Sequence, residues 1–309
     1  MTTVIRAEHL HKRYGSTTAV ADVSLTVDRG EILGVLGRNG AGKTTTVEMI
    51  GGLRPRDGGT VDVLGHDPDH DGAALREVVG FQLQESALPA RITVREAVGL
   101  YASFYRDGAG PAEQAVLLDE LGLAAKAGAR FQALSGGQKQ RLSLALALVG
   151  HPQIAILDEL STGLDPQARR DTWDVVRRVR ERGVTILLVT HLMEEAERLC
   201  DRVVLVDGGR VVAEGSPVEV AARVGAGDRL TFRPSAPVDL AVLTALPTVA
   251  EAVHEGGTVH LRGGGNVVQD VMVALARAGV RPDDLRVDRT SLEDAFVSLT
   301  GTGPHPVEA

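Results

Sequence analysis

The chain has little cysteine, few lysines and few aromatic rings, and its shortages each close off a class of protein. Cys200 is the single cysteine among 309 residues, so an intrachain disulfide and a cysteine-rich zinc site are both excluded. Lys+Arg 33 against Asp+Glu 41 leaves a formal net charge of -8, which repels a phosphate backbone, and nucleic acid is not an expected partner. Apolar runs such as Ile186–Val189 fall far short of the ~18 residues that a membrane span requires. The opening Met1–Glu8 segment has no signal-peptide core, so the expectation is a cytoplasmic chain that neither crosses a membrane nor is exported. What is present is 43% hydrophobic and 24% charged residues, enough for one large or two modest domains with packed cores. Disordered and fibrous classes are thereby excluded.

From Val4 to about Gly215, short apolar runs alternate with amphipathic stretches, the pattern of an α/β domain with a largely parallel sheet. Ile32–Leu36 precedes a glycine-rich loop, Ile154–Leu157 precedes two acids, and Thr185–Val189 precedes Thr190-His191. Ligands of such sheets sit at the carboxyl ends of strands, where these polar groups would gather. Residues ~90–150 read as a helical insertion with a turn at Gly108–Pro111. After Gly215-Ser-Pro217 the pattern becomes strand Arg229–Arg233, helix Val238–Leu246, strands Val249–His254 and Thr258–Arg262, helix Val267–Ala278 and strand Leu285–Val287. That βαββαβ order predicts a small ferredoxin-like α+β domain, closed by a helix over Ser291–Leu299. The expected division is 1–220, 226–300 and a frayed tail, Gly301–Ala309.

Gly37-Arg-Asn39-Gly40-Ala-Gly42-Lys43-Thr44, followed by Thr45, fits the phosphate-binding pattern GxxxxGK[ST] between a strand and a helix. Its glycines let backbone N–H groups turn toward phosphates, Lys43 reaches the β and γ phosphates, and Thr44 holds Mg²⁺. Asp158 and Glu159, at a strand end, divide the remaining work: Asp158 serves the metal and Glu159 polarises the attacking water. Leu134-Ser135-Gly136-Gly137-Gln138 opens a helix whose leucines make it apolar nearly all round, and its N-terminus suits a phosphate. The His66-Asp-Pro-Asp-His-Asp71 cluster reads as an exposed turn rather than a metal site. The Arg169–Arg182 face, with interspersed acids, reads as solvated. Trp173 and Cys200 read as packing residues.

These motifs, in this order, resemble the ATP-binding cassette (ABC) ATPases over Val4 to about Pro217, with LSGGQ as the family signature. The resemblance implies a P-loop ABC-type nucleotide-binding domain with ATP and Mg²⁺ as cofactors. It makes Tyr14 the aromatic that stacks on adenine, and Gln84 the glutamine that senses Mg²⁺ and links to a membrane partner, with Gln82 a competing candidate. Ser161–Asp165 resembles the loop that crosses a dimer interface, and His191 the switch histidine that contacts the γ-phosphate. Leu83 and Leu160 stand where the family often has proline.

Arg281-Pro-Asp-Asp-Leu285 and Ser291–Gly301 resemble the endings of ATPase subunits of ABC-2-type exporters, including the daunorubicin-resistance type. The implied protein is an ATPase that powers a separate permease exporting drug, lipid or polysaccharide, peripheral on the inner face of the cell membrane. Its partners would be that permease and a second cassette, paired head-to-tail as a homodimer. The alternative is a soluble ABC ATPase that switches binding in DNA repair or translation.

Overall fold

The computed structural model describes residues 2–82, 88–223, 227–288 and 291–300. It divides after Ser216 into two compact units, each with its own sheet.

The first unit contains strands β1 (Thr3–Tyr14), β2 (Thr17–Asp28), β3 (Ile32–Leu36), β4 (Gly58–Val63), β5 (Val79–Gln82), β6 (Ile154–Asp158), β7 (Thr185–Thr190), β8 (Arg202–Asp207) and β9 (Arg210–Gly215). Their order across the sheet is β4-β1-β2-β9-β8-β3-β7-β6-β5. β1 pairs antiparallel with β2 and β4, whereas β3, β7, β6 and β5 run parallel to one another. Every residue of β3, β6 and β7 is buried, which is why these strands read as unbroken apolar runs rather than alternating ones. Register then fixes the site. Leu36 lies opposite Thr190 and Asp158 opposite Val189, so β3, β7 and β6 end side by side. The loop after Leu36, the acids and His191 all emerge at that one edge of the sheet.

The helical insertion consists of Val94–Ala102, Pro111–Glu120 and Gly136–Leu148. Reciprocal side-chain bonds between Thr93 and Glu96, and between Ser135 and Gln138, start two of these helices, and Pro111 opens the third. Leu142 to Leu148 are buried on every side, as the leucine pattern predicts.

The second unit holds β10 (Asp228–Pro234), β11 (Val249–Glu255), β12 (Thr258–Gly263) and β13 (Pro282–Asp288), with helices Leu240–Thr244 and Val267–Arg277 between them. The strand order β11-β12-β10-β13, antiparallel throughout, is the ferredoxin-like arrangement the sequence predicts. Leu230, Phe232, Val259, Leu261, Val271 and Leu275 form a core of its own. Helix Leu292–Thr300 packs on helix Pro217–Arg223 within this unit.

Two of its elements differ in extent from the sequence reading. The helix expected over Val238–Leu246 begins only after Asp239, whose carboxylate accepts from Ala241 N at 2.9 Å, and Pro247 disfavours helical backbone at Leu246. The last strand is longer than Leu285–Val287 because its pairing with β10 runs from Pro282 to Asp288. The segment Gly301–Ala309, expected as a tail, lies outside the described residues.

Candidate functional site

The glycine-rich loop turns back between β3 and the helix Lys43–Ile50. Gly42 caps that helix at φ 99°, where a Cβ would stand 2.3 Å from the Ala19 carbonyl oxygen. A Cβ on Gly37 would stand 2.2 Å from the Val206 carbonyl oxygen. Side chains at either position would push the loop off the sheet edge. A cleft of about 300 Å³ opens over it, lined by Ala19, Asn39, Gly40, Gly42 to Thr45 and Glu159.

Lys43 is buried, and its Nζ donates to the Arg38 carbonyl at 2.9 Å. Burial lowers its pKa, while Glu159 and Asp158 oppose the shift. Asp158, 1% exposed, is pushed by burial up to about 6, against a hydrogen bond from Thr44 that favours the carboxylate. Its Oδ1 is buried without a hydrogen-bond partner. Thr44 and Asp158 thus bring hard oxygen donors together with one oxygen uncommitted, a donor set that suits a small divalent cation.

Glu159 adopts φ 49°, a left-handed conformation costing about 1–3 kcal/mol for a side chain with a Cβ. Its N–H donates to the Val189 carbonyl at 2.9 Å, which ties the strained residue to β7. That pose turns the carboxylate toward His191, with 3.2 Å between Oε1 and Nδ1, and the Thr162 hydroxyl donates to Oε2 at 3.4 Å. The arrangement presents a cation, a metal-competent pair and an oriented carboxylate around one cleft. It is a constellation for in-line transfer of a phosphoryl group to water.

Other expected residues stand apart from this cleft. Ser135 and Gln138 are engaged in their capping box, and Ser135, Gly136, Gly137 and Gln138 are absent from the lining. Asp165 is likewise absent and caps the helix Pro166–Glu181, accepting from Gln167 N and Ala168 N at 3.0 Å. Tyr14 ends β1 at 41% exposure, with Arg54 5.4 Å and Lys12 5.8 Å from its ring centroid. Gln84 lies outside the described residues, and its competitor Gln82 is buried at the end of β5.

The His66–Asp71 turn has an ionic interior. Arg56 donates to both Asp67 oxygens, at 2.8 and 2.6 Å, and lies 3.0 Å from Asp69. The guanidinium holds the Asp67 carboxyl down at about 2. On the arginine-rich helix, Arg177 pairs with Asp174, Arg180 with Asp201 and Arg182 with Glu120.

Sequence reasoning missed Ala19, Thr162, and the Lys12–Arg54 pair around Tyr14. Lys12 could have been found, since it sits two residues before Tyr14 on the same face of a strand. Arg54 could not, because only tertiary folding brings it there. A larger depression of about 500 Å³, bounded by helix Pro111–Glu120, Leu148 and Val179, shares no residue with the cleft. Chemistry rather than size selects the site.

Comparison with known proteins gives the same assignment independently. The ABC transporter family pattern matches residues 20–162. A daunorubicin resistance ATP-binding protein of Streptomyces coeruleorubidus is 36% identical, covering 99% of this chain and 99% of its own. A Nod factor export ATP-binding protein of Paraburkholderia xenovorans is 40% identical, covering 96% of this chain and 97% of its own. A linearmycin resistance ATP-binding protein of Bacillus subtilis is 32% identical, covering 96% and 98% respectively. Among solved structures, an ATP-binding subunit of an ABC transporter aligns with TM-score 0.64 and 29% identity, over 71% of this chain and 92% of that one. A dimeric ATP-binding cassette in a post-hydrolysis state, bound to ADP and Pi, aligns with TM-score 0.62 and 28% identity, over 69% and 98%.

Proposed function

The chain belongs to the ABC transporter family, and on that premise we propose that it is the ATP-hydrolysing subunit that powers a separate membrane permease of exporter type. The observation that carries this reading is the Glu159 carboxylate, held in strained backbone beside His191 at the mouth of the Lys43 cleft. Backbone N–H groups from Gly37 to Thr45 cradle the phosphates, and Lys43 swings from the Arg38 carbonyl to the β and γ oxygens. Glu159 orients and polarises the water, and His191 contacts the γ-phosphate. Thr44 and Asp158, with Gln84, would hold Mg²⁺, which when bound neutralises charge on the transferring group. Tyr14 stacks on the adenine.

A second copy, paired head-to-tail, supplies Ser135–Gln138 and Asp165 to this cleft. That explains why these residues lie away from it within one chain. Closing the two copies on ATP moves the permease, and hydrolysis releases them. Among the described residues, no helix is long and apolar enough to cross a membrane. As the partner of that permease, the subunit is assigned a peripheral place on the inner face of the membrane. The relatives are named for resistance to two drugs and for Nod factor export, and the cargo class proposed here is the same: drug, lipid or polysaccharide.

Ser135→Arg tests the shared site. The bulk of the arginine at the signature helix N-cap would keep the partner's nucleotide out of the position it must occupy for hydrolysis, so ATPase activity is expected to fall by about 100-fold or more. Binding of a fluorescent ATP analogue to the isolated chain should stay within twofold. Ser135→Ala loses the cap, at about 1 kcal/mol, and the hydroxyl offered to the partner, but adds no bulk, so the difference between the two variants reads the blocked interface alone. Undiminished turnover in Ser135→Arg would exclude the head-to-tail arrangement.

The second unit is proposed to serve assembly or regulation. A chain ended at Ser216 retains the complete cleft, and the core it loses is separate. Calorimetry on this shortened chain should give ATP affinity within threefold of the full chain, while export in cells co-expressing the permease should be lost. Lost affinity would make the second unit part of the ATPase itself, and full export would make it dispensable.

A further inference from the structure

The helix Met193–Leu199 begins two residues after His191 and has only seven residues. A helix that short does not hold itself in water, so its tertiary anchors decide where its first turn, and hence His191, is placed. Ala196 and Leu199 bury apolar surface, but such contacts are non-directional and leave rotation about the helix axis loosely set. Glu195 supplies the missing direction. It is 0% exposed, and its Oε1 accepts from the indole Nε1 of Trp173, itself 2% exposed, at 2.9 Å. Trp173 lies midway along the sixteen-residue helix Pro166–Glu181, the helix capped by Asp165.

This bond is an expensive way to join two helices. The second oxygen of Glu195 is buried without a hydrogen-bond partner, and an apolar side chain of similar volume would fill the position at lower cost. Fold stability therefore does not account for the carboxylate, whereas a directional requirement does. At the rim of the contact, Arg198 lies 5.8 Å from the indole centroid, and Arg177 donates to the Arg198 carbonyl at 3.1 Å. Two loops, each at the start of its own helix, are thus held in one relation by a buried bond at the centre of the contact, with the more exposed Arg177–Arg198 and Arg169–Glu194 contacts at its rim.

We infer that Glu195 is a positioning residue for hydrolysis: through the Trp173 indole it sets the azimuth of the helix behind His191 and locks that histidine against the loop carrying Asp165. The inference rests on the reading of Glu159 and His191 as hydrolytic groups. Its signature is a change in kcat without a change in nucleotide binding, because neither residue lines the cleft.

The test pairs Trp173→Phe with Glu195→Leu, replacing both hydrogen-bonding partners by apolar groups so that no buried carboxylate is stranded, and kcat is read below the Tm of both chains because the phenyl ring is smaller than the indole. There, kcat for ATP is expected to fall about tenfold while KM stays within twofold. If the paired variant melts too low to assay at the standard temperature, Glu195→Leu alone, which removes the carboxylate and keeps the indole packed, should show the same split. Glu195→Gln keeps the accepting oxygen and is expected to recover kcat to within twofold of the parent chain. Trp173 is the only tryptophan, so its emission reports whether the indole remains buried and bonded in that variant. A folded paired variant with parental kcat overturns the inference, as does a tenfold loss in Glu195→Gln with unchanged emission. Failure of the underlying reading looks different: His191→Ala would then hydrolyse at the parental rate whatever happens at Trp173.

Discussion

Glu159→Gln should bind Mg-ATP and scarcely hydrolyse it, with turnover lowered by roughly two to four orders of magnitude, the usual contribution of a positioned general base. The amide has nearly the shape of the carboxylate and can still meet Thr162 and His191, so the cleft keeps its geometry. What it loses is the ability to draw a proton from water. Substrate affinity and product formation therefore separate, and the ATP-bound pair of chains should accumulate. Size-exclusion chromatography with and without Mg-ATP reads this directly: Glu159→Gln should elute as a dimer only with nucleotide. Turnover within a few-fold of the parent chain would remove Glu159 from the chemistry and leave its strained backbone without a function.

Lys43→Ala should fail earlier, at binding. Among the described residues that line the cleft, Lys43 carries the one cationic group, and a charge-assisted hydrogen bond is worth about 1.5–3 kcal/mol, so nucleotide affinity should fall roughly 10- to 100-fold. The nucleotide-free fold should lose some stability as well, because deleting the side chain removes the hydrogen bond to the Arg38 carbonyl and the ammonium that offsets the charge of buried Asp158, so affinity is compared at a temperature where both chains are folded. A thermal-shift assay distinguishes the two variants in one experiment. Mg-ATP at a few times the Kd of the parent chain should raise the Tm of Glu159→Gln and shift that of Lys43→Ala far less. An equal shift in both would mean that Lys43 does not carry ground-state phosphate binding.

Much of the site was legible because its parts are short. Phosphate cradling needs glycines and a lysine within one loop, a helix start needs partners three residues apart, and a buried parallel strand announces itself as an apolar run ending in acids. The groups that escaped are those whose partners lie far away in sequence. Arg56 fills the His66–Asp71 turn from outside it, so the turn's histidines and acids alone could not reveal an ion-pair cluster. Arg54 reaches Tyr14 across 40 residues in the same way. Trp173 reads in sequence as packing, and burial bears that out, yet its indole N–H also meets a carboxylate on another helix. Helix and strand ends near Asp239 and Pro282 shifted for a related reason, since a local cap and a distant pairing strand overrule the periodicity of the residues themselves.

The adjacency of β3, β7 and β6 also bears on how the chain acquires its activity during synthesis. β3 ends at Leu36, but the nearer in sequence of its two partner strands, β7, begins at Thr185, so that pairing closes a loop of roughly 150 residues. Contacts of such long range form slowly, and the loop around Lys43 is made long before the groups that complete it. A nascent chain emerging from the ribosome therefore exposes a phosphate-binding sequence whose cleft stays incomplete until Glu159, and the Val189 carbonyl that holds it, have been translated. ATP can reward the finished domain with added stability, but it cannot template the first steps of folding.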